Sequence, residues 1–322
     1  MVRKLFVLVL CFLLVSITLP IIYAGEYEKS HYDNLTPEEL ENDWYYLPGY
    51  PNYCPNGLPD FDQRQDETWR HKYMWSFCGP TALANVIWWF DSKHSDPSGS
   101  PGDGVDNYPL VKNLNSYFEP IPGPNLDDHN FNNINDVQTP WDEDLVAGEL
   151  IEVIAQYSNI NWYKIPFISI AGTDRYSLAR GAKKFISDSG LESQYKVEIF
   201  NRPSFNLINE KLRENSGIIL RLGYYIPSFP SILLPIFSAH YVAVAGVNSN
   251  GSIAICDPKW DITNPNPYED PILHNDPSIV SHDVYTINES PPYPSISRFW
   301  IPDFERNRRV LVNAAIIISE VE

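Results

Sequence analysis

Ala239-His240-Tyr241-Val242-Ala243-Val244-Ala245-Gly246-Val247-Asn248-Ser249-Asn250-Gly251-Ser252-Ile253-Ala254-Ile255-Cys256-Asp257-Pro258 is the stretch that decides the fold. Apolar, strand-forming residues lie on both sides of an Asn-Gly pair, so the stretch is predicted to form two antiparallel strands joined by a turn at Asn250-Gly251. His240 begins the first strand and Asp257 ends the second, which brings two groups of complementary chemistry to one end of a hairpin.

Side chains alternate between the faces of a strand, so the register decides whether the two groups meet. A loop of Asn250-Gly251 alone sets Asp257 opposite Val244, whereas a loop from Asn248 to Gly251 sets it opposite Val242. His240 and Asp257 share a face in both cases. The shorter loop leaves them roughly 13 Å apart at about 3.3 Å per residue. The longer loop makes them diagonal neighbours at roughly 7–8 Å between backbones, within side-chain reach. The longer loop, or a bulge with the same effect, is therefore expected, with the Asp257 carboxylate fixing the imidazole tautomer and the other ring nitrogen free for a nucleophile.

Outward from the hairpin, Gly217-Ile218-Ile219-Leu220-Arg221-Leu222 and Val310 to Ile318 read as further strands. Upstream the period changes. Leu83, Val86, Ile87 and Phe90 recur at helical spacing from Cys78 to about Ser92, and helices are also expected at 143–157, 174–189 and 207–214, with Gly190 as a C-cap. Helices followed by strands give an α+β fold, with an N-terminal helical part packed on a C-terminal antiparallel sheet. Residues 95–144 are dominated by Asp, Asn, Gly, Pro and Ser and read as a loop-rich insertion with one short helix near 110–117. Residues 45–60 read as a loop wrapped over the body, preceded by a short capped helix at Thr36-Pro37-Glu38-Glu39.

Cys78 opens the first long helix. Unpaired backbone N–H groups and the helix dipole at such a position stabilise a thiolate, which is how a thiol becomes a nucleophile near neutral pH. Gly79 lets a bound carbonyl approach the backbone, and Pro80 is tolerated in a first turn that needs no N–H donor. With His240 as general acid/base and Asp257 as its orienting carboxylate, the three residues make a catalytic triad. Acyl transfer also needs donors for a developing oxyanion, and Gln63 and Gln65 in Pro59-Asp60-Phe61-Asp62-Gln63-Arg64-Gln65 lie upstream on a segment able to pass the helix start.

These elements together resemble the papain-like cysteine peptidases related to the bacteriocin-leader-processing (double-glycine) peptidases. The resemblance rests on Pro59 to Gln63, Cys78-Gly79-Pro80, His240-Tyr241-Val242 and Asp257-Pro258, and it spans roughly 58–258. It implies a papain-like fold, no cofactor, Cys78 as nucleophile, His240 as general acid/base, Asp257 as the orienting carboxylate and Gln63 as the oxyanion donor. The spacing departs from the family in one place, since Gln63 precedes Cys78 by fifteen residues across an insertion at 66–76.

The first residues place basic Arg3 and Lys4 before an apolar run from Leu5 to Ile22 and the small-residue site Tyr23-Ala24-Gly25. This pattern is expected to be a signal peptide over 1–24, followed by an N-terminal arm over 25–57 and the catalytic domain over 58–322. The protein is then secreted or extracellular, with no stable membrane insertion after cleavage; the competing reading of the run is a retained membrane anchor. A formal charge of −18 is a poor match to nucleic acid or anionic membrane, so no nucleic-acid partner is expected, and the triad makes a peptide or protein the expected substrate. After cleavage Cys54, Cys78 and Cys256 remain, an odd number that leaves at least one free thiol, with Cys78 the candidate and Cys54–Cys256 an open pairing.

Other features carry less. Asp127, Asp128, His129, His274 and Ser281-His282-Asp283 lack the ligand spacing of a metal site. Trp88-Trp89-Phe90 is expected to pack the core, and Tyr224, Tyr225 and the loop to Pro235 are candidates to line a cleft. Asn34, Asn250 and Asn288 occupy glycosylation sequons. Beside the peptidase, two alternatives stay open: an inert peptide-binding or cell-surface module of the same fold, and a peptidyl or acyl transferase using the same triad.

Overall fold

A computed structural model of the protein describes residues 44–50, 54, 56–63, 70–71, 74–94, 110–111, 146–160, 164–165, 168–169, 172–225, 239–259, 283–291, 294, 297–302 and 309–321. Four helices occur among them: α1 (Cys78–His94), α2 (Val146–Tyr157), α3 (Arg175–Asp188) and α4 (Phe205–Arg213). The long strands are β6 (Tyr195–Asn201), β7 (Gly217–Tyr225), β8 (Ala239–Asn248), β9 (Ser252–Cys256) and β12 (Arg309–Glu320). Shorter ones are β1 (Trp44–Tyr46), β2 (Arg70–His71), β3 (Met74–Trp75), β4 (Lys164–Ile165), β5 (Ile168–Ser169), β10 (Asp283–Thr286) and β11 (Trp300–Ile301).

Eight strands form one sheet in the order β10-β9-β8-β7-β12-β11, with β1 added to β8 and β6 to β12. Every pairing in it is antiparallel. The expected mixture of helices and an antiparallel sheet is therefore present, and the class is α+β. Among the described residues no helix is long and apolar enough to cross a membrane.

Helix α1 is central. Its residues from Cys78 to Ser92 are all buried, because apolar side chains occupy every side of it rather than one stripe. It lies against β7 and β8 with α2 alongside. Trp88, Trp89 and Phe90 are fully buried in this layer, as core packing requires. On another side Phe61 meets Trp88 edge-on with ring centroids 5.4 Å apart, so the 56–63 segment covers part of the helix.

Helices α3 and α4 begin where the chain supplies caps. Asp174 accepts hydrogen bonds from the Tyr176 and Ser177 N–H groups, and Ser204 accepts from Leu207. Gly190 follows α3 at φ +76 and its N–H bonds Ser187 O, as expected of a C-terminal glycine.

Three differences from the sequence reading concern two strands and one turn. β6 pairs along β12 from Tyr195 to Asn201. Its alternation of Tyr195, Val197 and Ile199 with Lys196 and Glu198 is a period of two on a half-buried face. Trp44–Tyr46, expected to belong largely to a wrapped loop, is instead strand β1 on the second half of β8. Its Trp44 and Tyr46 rings stack 5.2 Å apart on one face, which the period of two dictates. Leu110 and Val111, expected to begin a helix, form a turn in which the Val111 N–H bonds the buried Asp91 carboxylate at 3.0 Å. The remaining residues of the 95–144 insertion, the signal peptide, the 36–39 helix, Gln65, His274 and the loop from 226 to 238 lie outside the described residues.

Candidate active site

The β8–β9 hairpin has neither loop considered from the sequence. Asn248 pairs with Ser252, leaving three loop residues, with Gly251 at φ +93 and its N–H on Asn248 O. Ala245 is then an extra residue in β8: Gly246 pairs with Ala254, yet Val244 pairs with Ile255 and Ala243 with Cys256. This bulge has the effect the longer loop was expected to have. It carries Asp257 to the place opposite Val242 and onto the His240 face.

Strand β1 holds the bulge. The Leu47 N–H donates to Ala245 O at 2.9 Å, and Tyr46 pairs with Gly246. A Cβ on Gly246 would stand 2.5 Å from Tyr46 Cδ1, so glycine is what permits this close approach.

At the far end of the hairpin, His240 and Asp257 are both buried, and their side chains are joined by a 2.5 Å hydrogen bond between Nε2 and Oδ1. A carboxylate can only accept, so Nε2 carries the proton in that bond. Asp257 Oδ1 also accepts the Lys259 N–H at 2.9 Å, which fixes the carboxylate from its own turn. Cys78 acts on the same ring and favours its charged form, and with Nε2 committed to Asp257 the nitrogen that can face a sulfur is Nδ1.

Electrostatics follow from this arrangement. Burial disfavours a charged His240, but the Asp257 charge and hydrogen bond, with those of Cys78, outweigh it and push the imidazole up to about 10. A protonated ring beside the sulfur is the state that stabilises a thiolate. Cys78 is the first residue of α1 and Phe77 O accepts the Thr81 N–H, so the Cys78 N–H belongs to the first turn and has no partner within the helix. The start of α1 is seated by Gly79, where an added Cβ would meet Thr173 Cγ2 at 3.0 Å, Leu178 Cδ2 at 3.3 Å and Tyr241 Cδ2 at 3.4 Å.

Gln63 is 1 % exposed, and its N–H donates to Pro258 O at 2.8 Å, beside Asp257. Its Oε1 is buried without a hydrogen-bond partner among the described residues. Two residues earlier the Phe61 N–H bonds Asn85 Oδ1 at 3.1 Å, and at Leu58 the carbonyl faces Cys256 Sγ at 3.8 Å. Gln63 thus reaches the Asp257 end of the hairpin despite its long separation from Cys78 in the chain.

The three described cysteines are all free thiols, so Cys54 and Cys256 are not paired. Burial drives the Cys54 thiol up to about 12 against the pull of Ser92 and Tyr50 hydrogen bonds, which leaves it inert at neutral pH. No group of acidic, histidine or cysteine side chains among the described residues is arranged to hold a metal ion.

Two contributors had weak sequence signals. The Ala245 bulge is marked only by the adjacent Gly246 in an otherwise regular strand, a recognised sign of irregularity. Asn85 stands seven residues after Cys78, on the same side of a helix that is apolar nearly everywhere else. Comparison of the chain with protein-family models and with curated proteins gives no match.

Proposed function

We propose that the protein is a secreted cysteine peptidase of papain-like fold that hydrolyses peptide bonds without a cofactor. The observation that carries this reading is the buried His240 ring, bonded to Asp257 through Nε2 and held in its charged form by Asp257 and by Cys78 at the mouth of α1. In this mechanism the Cys78 thiolate adds to the scissile carbonyl, and the oxyanion is met by the Cys78 N–H and the Gln63 amide. The His240 imidazolium gives its proton to the departing amine, leaving a thioester on Cys78. Neutral His240 then takes a proton from water as the water attacks the thioester, and the acid product leaves with the thiolate restored. Asp257 keeps the ring in one tautomer throughout.

Three free thiols give an internal control. A peptide carrying a thiol-reactive warhead should label Cys78 far faster than Cys54 or Cys256, and His240→Ala should erase the difference. Equal labelling of the three would replace the enzyme by an inert binding module. Incubation of a peptide library with and without competing amines then separates hydrolysis from acyl transfer by the products formed.

A further inference from the structure

The segment 58–63 runs as a strap between the two halves of the candidate site, and its attachments are specific. Leu58 O faces Cys256 Sγ at 3.8 Å, the Phe61 N–H bonds Asn85 Oδ1 at 3.1 Å, and the Gln63 N–H bonds Pro258 O at 2.8 Å. The outer attachments are to the end of β9, next to Asp257. The middle one is to α1, the helix that begins at Cys78.

Asn85 has no evident purpose in packing. It is fully buried in an apolar helix, and its Nδ2 has no partner among the described residues. A buried amide tolerated at such a cost is retained for the bond it does make. Here that bond is to a strap residue two positions before Gln63. The rise of a helix puts Asn85 roughly 10 Å along the axis from Cys78, too far for it to touch the reacting atoms.

We infer that Asn85 is a positioning residue, fixing the strap to the nucleophile's helix so that the Gln63 amide is held where the oxyanion develops. The inference rests on the peptidase reading above. With Phe61 bonded to α1 and Gln63 bonded to Pro258, the strap cannot slide along either element without breaking a buried backbone hydrogen bond. Removing the Asn85 carbonyl releases one of these two fixed points and lets Gln63 drift, while Cys78, His240 and Asp257 keep their own contacts.

The test compares two reactions of Cys78. Alkylation by iodoacetamide needs the activated thiolate but forms no oxyanion, whereas peptide hydrolysis needs both. Asn85→Ala should lower kcat about tenfold or more with little change in KM, within the range of about a hundredfold to a thousandfold for loss of a whole oxyanion donor. Its iodoacetamide rate should stay within about twofold of the parent chain. In a Gln63→Ala background, Asn85→Ala should add nothing further to the loss of kcat. Asn85→Asp, which keeps an oxygen for the Phe61 N–H, should recover part of the rate and serves as the second variant if the alanine form does not fold. Equal losses in both reactions, or losses of kcat that multiply in the double variant, would overturn the positioning role and leave the peptidase reading intact. A parent chain that alkylates selectively at Cys78 yet hydrolyses no peptide removes that reading and this one together.

Discussion

Ala245 stands outside the β8–β9 ladder, and for that reason Asp257 lies on the same face of the sheet as His240. The three-residue loop alone would place Asp257 opposite Ala243, one position out of phase. Since side chains alternate, a single residue of slip reverses the face. The carboxylate would then project away from the imidazole.

Deleting Ala245 should therefore do to hydrolysis what Asp257→Ala does. A milder variant is Gly246→Val, whose branched side chain meets the Tyr46 ring where even a Cβ stands 2.5 Å from it. It should cost about 1–3 kcal/mol of stability through overpacking, measured by urea unfolding. A full-strength His240–Asp257 bond in the deletion variant, detected as an unchanged alkaline limb of the pH profile, would contradict this account.

Asp257→Asn preserves shape but withdraws the charge that outweighs burial at His240. The imidazolium that protonates the leaving amine in the proposed mechanism is then lost at lower pH. The alkaline limb of kcat/KM, expected near pH 10 for the parent chain, should move toward neutrality, and kcat should fall by about a hundredfold to ten-thousandfold. Rate–pH profiles of the two proteins decide the matter.

The same group links folding to pH. The folded value for His240, about 10, lies above the 6.5 of a free imidazole, so the folded chain binds the proton more tightly. The corresponding stabilisation is fully present below pH 6.5 and disappears as the pH rises through about 10, a loss on the order of a few kcal/mol. Urea midpoints taken across this window should decline for the parent chain and flatten for His240→Gln.

Asp174 caps α3 and does so twice over, since its second oxygen also accepts the Ser177 hydroxyl at 2.7 Å. Asp174→Ala should cost about 1 kcal/mol. Thr173, the neighbouring residue, packs at Gly79 and its carbonyl receives the Tyr241 hydroxyl at 3.3 Å. Fraying of α3 should thus reach the start of α1, and hydrogen exchange in 173–178 and 79–82 should rise together. Exchange confined to α3 would show that the cap serves its own helix alone.

How far the chain could be read depended on whether a pattern was local. The helix at Cys78 and the strands at 217, 240, 252 and 310 were legible because period is a property of neighbouring residues. The shared face of His240 and Asp257 was expected from a loop of even length, and it holds here because the Ala245 bulge compensates an odd one. Strand β1 was not, since three residues among prolines and tyrosines become a strand only when β8 offers an edge. The loop length was missed for a similar reason. Ala245 looks like any other alanine in a strand until Leu47 donates to its carbonyl and Tyr46 lies over Gly246. Asn85 carried a signal, a lone amide among apolar residues, but its partner was the backbone of Phe61, which no side-chain pattern reveals.

Strand β8 divides its flank: Ala239–Ala243 lean on β7, while Gly246–Asn248 are covered by Trp44–Tyr46. A protease cutting after Leu47 and releasing what precedes it would uncover backbone donors and acceptors on an apolar strand edge, the kind of surface on which chains stack into insoluble aggregates. Trimming from the amino end that removes Trp44–Tyr46 would thus be abruptly harmful.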